Sequence, residues 1–252
     1  MNIVVLMKLV PDLVEELTID AGGKALDASW LRLIINEFDD HALEQAILLK
    51  ESAGGQVTVI APEAEGVDDL LFAASARGAD RLIKLAGEAA PNNHALARAL
   101  AAVVQPLGAD LIVTGLQAHT DLDGSVGPLL AGVLGLPYVG YVAGVAPGSG
   151  RVTVRKEYPG GLVAEMEAAT PAVLGIQAAE KPPRYVPISK VRQAMKTAAI
   201  ETQEMAATDA AGAPAVERMF RPTAGERATM IEGEVDQVAA RLVEVFKQAG
   251  AL

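Results

Sequence analysis

The chain contains no cysteine, which excludes disulfides, thiolate metal ligands and a cysteine nucleophile. It is short of positive charge: 21 Lys and Arg stand against 32 Asp and Glu, for a net charge of −11. That balance argues against a nucleic-acid partner, because binding phosphate backbones needs a concentrated basic surface. No apolar run reaches the ~18 to 20 residues of a membrane span. No charged n-region with a small-residue cleavage site precedes the first apolar segment, so a cytoplasmic protein is expected. G-x-G-x-x-G is missing after the first strand-like run, and so is G-x-x-x-x-G-K-[ST]; neither a dinucleotide fingerprint nor NTP-hydrolysing machinery is present. His41, His94 and His119 do not share a metal-ligand spacing, and no metal is expected. His41 and His94 are read as surface residues of helix first turns. Internal repeats are absent as well.

What is present is an alternation of strand and helix patterns. Ile3 to Leu9 is an almost continuous apolar run, read as a buried strand. Asp39 or Asp40 can cap a helix that carries Ala42, Leu43, Ala46 and Ile47 on one face and stops at Gly54-Gly55. QVTVIA, RLIKL and DLIVT then read as strands, and Asp68 to Arg77, His94 to Gln105 and Pro128 to Leu134 as helices. This series predicts an α/β fold: a three-layer sandwich with a mostly parallel sheet, Rossmann-like in its layering. After Pro137 the runs YVGYVAGV, RVTVRKEY, LVAEMEA and AVLGI suggest hairpins or an added antiparallel segment. Met205 to Gly225, rich in Ala, Thr, Gly and Pro, reads as an extended arm. The chain closes on an amphipathic helix with Val235, Val238, Ala239, Leu242, Val243 and Phe246 on one face. Two regions are expected: residues 1–190 as a nucleotide-binding α/β domain, and 191–252 as a C-terminal arm and helix whose apolar face is buried on a partner chain or on the chain's own globular body.

In an open parallel sheet, ligands bind outside the carboxyl ends of the strands. Three segments fall there: Lys8 to Asp12, Ala61 to Gly66, and GLQAHTDLDGSVGP from Gly115 to Pro128. In the last, Gly124 to Gly127 leads into a helix, with Pro128 suited to its first turn. Free N–H groups and the helix dipole favour a phosphate there. Thr120, Asp121, Asp123 and Ser125 form no nucleophile–base set, and His119 pairs with no nucleophile. The chemistry is that of a binding site, with no catalytic residues. A basic island, Lys190 to Lys196, reads as a solvated face or a partner surface.

Five segments, in order and in register, resemble the electron transfer flavoprotein β-subunit family. NEFDDHALEQAILLKE resembles its N-P-F-[DC]-E-x-A-[LV]-E-x-A-x-x-L-K-E segment, and RGADRLIKL its M-G-A-D-R strand entry. GLQAHTDLDGSVGP falls at G-x-Q-A-x-D-x-D-x-x-x-x-G. KEYPGGLVAEMEAATPAVLGI resembles R-E-x-D-G-G-L-E followed by L-P-A-V-[VL]-x-[IA]. EKPPRYVPISKVRQAMK resembles N-E-P-R-Y-x-x-L-P-x-[IL]-x-x-A-x-K. The resemblance implies an electron-carrier subunit rather than an enzyme. It implies an α subunit that holds most or all of the redox FAD, electrons taken from acyl-CoA-type dehydrogenases, and their delivery to a quinone-linked oxidoreductase. It also implies an AMP held in this chain. Carried over by position, the AMP pocket comprises Leu6, Asn36, Glu37, Phe38, Asp39, Ala61 and Pro62, with Gly115, Gln117, Ala118, Asp121, Asp123, Gly124, Ser125 and Val126 on the phosphate side. The dehydrogenase-recognition loop spans 177–196, with Ile188 as the apolar anchor and Lys190 and Arg192 beside it.

The departures from the family pattern keep alternatives open. Gly124, Ser125 and Val126 replace an Asn-Gln-Thr cluster, and Thr120 stands where an aspartate is expected. Smaller groups there leave room for a diphosphate, so a second FAD, as in electron-bifurcating members, is the alternative to AMP. Pro159 replaces a usual aspartate, which weakens any expectation of contact with the α-subunit flavin. A freestanding adenine-nucleotide sensor is the competing function.

Overall fold

The computed structural model describes residues 1–206, 209, 211, 213–223, 225 and 228–252. Its strands are β1 (Asn2–Leu6), β2 (Leu9–Pro11), β3 (Leu33–Ile35), β4 (Gln56–Pro62), β5 (Arg81–Ala86), β6 (Leu111–Gly115), β7 (Tyr138–Pro147), β8 (Arg151–Tyr158), β9 (Leu162–Ala169), β10 (Ala172–Ile176) and β11 (Ile200–Glu204). Its α-helices are α1 (Glu37–Ala53), α2 (Val67–Arg77), α3 (Asn93–Val104), α4 (Val126–Leu134), α5 (Ile188–Thr197) and α6 (Val235–Gln248). No helix among the described residues is long and apolar enough to cross a membrane.

Nine strands form one sheet in the order β11-β5-β4-β1-β6-β10-β7-β8-β9. The pairings from β11 to β7 are all parallel, and only β7-β8-β9 are antiparallel. β2 and β3 make a separate antiparallel pair. The parallel core has helices on both faces, as the βαβα series predicts. β1 makes this concrete by alternation: Ile3 and Val5 belong to a core shared with α1 and α2, while Val4 and Leu6 face a second core shared with α3 and α4.

Several expectations are corrected. The run from Ile3 to Leu9 is not one strand: it breaks after Leu6, and Leu9 starts β2, which turns away to pair with β3. Neither Asp39 nor Asp40 caps α1; Asn36 is the N-cap, and Asp39 lies buried inside the first turn. AVLGI does not extend the antiparallel segment. It returns as β10 between β6 and β7, five buried residues in a row, because a strand covered on both faces is apolar throughout. The 177–196 loop is helical over its second half as α5, where Lys190, Val191 and Ala198 N–H groups bond back to carbonyls one turn earlier. β11, which carries no strong apolar run, is held at the sheet edge by pairing with β5 and by a two-pronged Arg81–Glu201 contact at 2.6 and 2.7 Å. His41 and His94 are engaged rather than free: Ala179 N–H donates to His41 Nδ1, and His94 Nε2 lies 3.2 Å from the Asp123 carbonyl.

The chain divides into two compact units, Met1–Glu217 and Arg218–Leu252. Of the arm expected from Met205 to Gly225, residues 207, 208, 210, 212 and 224 lie outside the described residues. Within the second unit α6 opens with a capping box between Glu234 and Gln237 and has no buried residue.

Candidate functional site

The chain runs outward from β1 through β4 to β5, then crosses to the other side of β1 to lay down β6. The order therefore reverses between β1 and β6, and a crevice opens at their carboxyl ends, the usual ligand position in such sheets. β1 ends at Leu6 and β6 at Gly115, so both sequence-predicted edges of the pocket meet there.

A cavity occupies this crevice. Leu6, Asn36, Asp39, Pro62, Gly115, Gln117, Asp121 and Val126 all line it, which brings together residues from four separate stretches of sequence. The other predicted residues fall around it. Glu37, Phe38 and Ala118 border a neighbouring hollow beside β2 and β3. Asp123 borders a larger cavity that also reaches Lys8, Pro62 and Leu96. Ala61 is fully buried in the core behind Pro62. Gly124 is exposed, with a φ of 111° that favours glycine, and Ser125 is the N-cap of α4.

Residues outside the set carried over from the family complete the walls. Ile60 on β4 and Leu96 and Leu100 on α3 supply apolar surface, and Lys8 and Thr114 supply polar groups. The signal for Leu96 and Leu100 was their i, i+4 spacing on the apolar face of a recognised helix. Lys8 falls at the sheet edge as the start of the first loop, but its pairing with a residue 113 positions away leaves no local signal.

Polar groups in the crevice are tightly matched. The Lys8 ammonium pairs with Asp121 Oδ1, which also accepts from Asn93 Nδ2 at 2.8 Å, while Asp121 Oδ2 accepts from Ala118 N at 2.8 Å. Asp123 Oδ2 accepts from His94 N at 3.1 Å, and Asn92 Oδ1 accepts from Ala95 N at 2.8 Å. These two acceptors satisfy N–H groups at the start of α3 that the helix itself cannot. Asn36 Nδ2 donates to the Gln117 carbonyl at 3.0 Å. Asp39 is buried, with Oδ2 accepting from Lys8 N at 2.9 Å and Oδ1 from Gly115 N at 3.0 Å. Burial pushes its carboxyl up to about 6, against the opposing pull of Lys8 and of these hydrogen bonds.

Asp39 and Asp121 line the cavity and are also bonded within the protein. The phosphate-seeking groups that remain are backbone ones. Ser125 makes no side-chain cap on α4, so the first N–H groups of that helix are left without intrahelical acceptors, with the positive end of its dipole. Apolar walls beside an open helix N-terminus suit a flat heteroaromatic ring that carries a phosphate.

The segment expected to recognise a partner lies elsewhere on the first unit. Ile188 is the first residue of α5 and 68% exposed, and Lys190 and Arg192 are exposed along the same helix. The stretch before α5 has no regular structure of its own and borrows acceptors from α1. Ala179 N–H bonds to His41, Glu180 N–H to Gln45 Oε1 at 3.1 Å, and Arg184 N–H to Glu44 Oε2 at 3.0 Å.

Residues 28–210 match the family model described as the electron transfer flavoprotein domain. The chain is 32% identical to the electron transfer flavoprotein subunit beta of Methylophilus methylotrophus, over 98% of each chain. It is 33% identical to the subunit of the same name from Syntrophomonas wolfei, over 89% of this chain and 88% of that one. Against the one from Clostridium acetobutylicum the identity is 35%, over 76% and 74%. Matches of this extent, together with a doubly covered parallel sheet, establish that the chain belongs to the electron transfer flavoprotein β-subunit family.

Proposed function

We propose that this chain is the β subunit of a heterodimeric electron transfer flavoprotein and holds an AMP in the crevice between β1 and β6. Its α subunit carries the FAD that accepts and donates electrons. The heterodimer takes them from an acyl-CoA-type dehydrogenase and delivers them to a quinone-linked oxidoreductase. The chain contributes binding and orientation and has no catalytic residue of its own. The second unit, with α6 at its end, packs on the α subunit, while Ile188, flanked by Lys190 and Arg192, enters the dehydrogenase surface.

The observation that carries the AMP reading is the pairing of an apolar slot with unpartnered helix N–H groups. Leu6, Ile60, Leu96 and Leu100 line the slot, and α4 opens beside it at Val126. Lys8 is already neutralised by Asp121, so the local charge favours one phosphate over several. Mass measurement of the nucleotide released on denaturing the purified heterodimer tests this: AMP is expected, in equal amount to the chain. No bound nucleotide overturns the AMP reading, whereas a chain that stays monodisperse and never co-purifies with a flavin-bearing subunit overturns the heterodimer and favours a freestanding nucleotide sensor.

One observation favours the alternative of a second FAD. The larger cavity that adjoins the slot at Lys8, Pro62 and Leu96 offers space for a ligand longer than AMP. Two equivalents of FAD in the heterodimer, with no AMP, would select the bifurcating form.

A further inference from the structure

A buried carboxylate is an expensive choice for a core position. Asp39 has no cation within ion-pair distance among the described residues; each of its oxygens accepts from a backbone N–H, and the Asn36 side chain is hydrogen-bonded to the same carboxyl. The two backbone donors sit on opposite sides of the crevice: Lys8 N just past the end of β1, and Gly115 N at the end of β6. The fit is close. A Cβ on Gly115 would lie 2.4 Å from Asp39 Oδ1 and 2.8 Å from the backbone of Phe38.

We propose that Asp39 is a positioning residue of the nucleotide site, its carboxylate spanning the crevice from Lys8 to Gly115 and setting the crevice width. This rests on the nucleotide reading given above. Both oxygens must accept. Protonation turns one of the two oxygens into a hydroxyl, a poorer acceptor, and an amide sets an NH2 donor against one of the two N–H groups, so one strand end is held more weakly.

The ionisable surroundings are few. Lys8 faces Asp39 from the exit of β1, and Asp121 stands behind Lys8 from the loop after β6. On α1 itself Glu37 is exposed and Asp40 is paired with Arg77. β4 and α3 present only Ile60, Pro62, Leu96 and Leu100. Burial raises the Asp39 carboxyl from 3.8 to about 6. The sign follows from linkage: the stability linked to this group is fully present below about 3.8 and is lost as the pH rises through about 6. The charged form therefore costs the fold stability, whereas it completes the brace. Affinity and stability respond to this one proton in opposite directions, which no purely structural role produces.

The test compares wild type with Asp39→Asn as full-length chains, titrated with AMP between about pH 7.5 and pH 5. Wild-type affinity is expected to fall about tenfold across that range beyond any change in the variant, the scale of one lost buried acceptor. The AMP phosphate titrates in the same window but does so equally in both proteins, so the ratio isolates residue 39. In melts without nucleotide, the stability of Asp39→Asn relative to wild type is expected to increase as the pH rises from about 4 to 6. Affinity profiles that superimpose overturn the assignment and leave the nucleotide reading standing. No AMP binding by either folded protein at any pH overturns both. Should the variant not fold, wild type titrated with adenosine, which lacks the phosphate, decides alone: a flat profile overturns the assignment.

Discussion

Arg184 closes a fork on Glu44. Its Nη2 lies 2.8 Å from Oε1, its Nε 3.0 Å from both oxygens, and its own backbone N–H 3.0 Å from Oε2. The Glu44 side chain is 3% exposed, and the outer guanidinium edge reaches Glu51 at 2.6 Å. This pair anchors the irregular stretch before α5 to α1, four residues ahead of Ile188. Glu51 and then Glu44 hold the guanidinium well above its usual range, and Arg184 in turn holds the Glu51 carboxyl below its own.

Arg184→Ala leaves the Glu44 carboxylate buried and unpaired. A loss of about 2 to 3 kcal/mol is expected in urea unfolding, the lower part of the range for broken buried pairs because Arg184 is partly solvated. Trypsin is expected to cut faster at Lys190 and Arg192 in the variant. In wild type the Glu51 contribution is present above the ordinary carboxylate range and is lost as the pH falls through its depressed value, so protection at these sites should decline in acid.

Gly115 admits no side chain. The 2.4 Å approach to Asp39 Oδ1 is accompanied by backbone atoms of Phe38 and Asp39 at 2.8 Å, and backbone cannot step aside as a flexible side chain can. Gly115→Ala is expected to cost about 2 kcal/mol or more by overpacking and to abolish nucleotide retention. Calorimetry of the apo chain and mass measurement of released nucleotide read the two effects separately.

Tyr138 is wedged among glycines. A Cβ on Gly175 would meet its hydroxyl at 2.3 Å, and one on Gly140 would meet it at 2.8 Å. Burial, with a smaller push from Tyr141, raises its phenol from 10.0 to about 12. An ultraviolet titration of the folded chain is expected to show one phenol ionising only near pH 12, a step missing in Tyr138→Phe. The stability linked to Tyr138 holds below pH 10.0 and is lost as the pH rises through about 12.

A chain ending at Glu217 keeps the whole first unit. Its melting temperature and bound nucleotide are expected to match those of the full chain, since α6 buries nothing. Its capture of a flavin-bearing subunit on co-expression is expected to drop at least tenfold, in line with the large apolar area lost. Undiminished capture would mean that the second unit is not the docking element.

By itself the sequence determined the alternation of strand and helix, the inward face of α1 and which loops fall at the carboxyl edge of the sheet. These follow from local periodicity and from Gly and Pro punctuation, which a window of about a dozen residues reveals. Family motifs added the identity of most pocket residues, from Leu6 to Val126. Only the tertiary structure decided what the acids do. Asp39 looked like a helix cap and accepts from N–H groups at two strand ends, and Asp121, expected at the pocket, is also the counter-ion of Lys8. It also decided that AVLGI sits inside the parallel sheet and that IETQE closes the opposite edge. The physical reason is the same in each case. The partners are far apart along the chain (39 with 115, 8 with 121, 44 with 184), and no local pattern records a pairing that exists only once burial has removed the water competing for it.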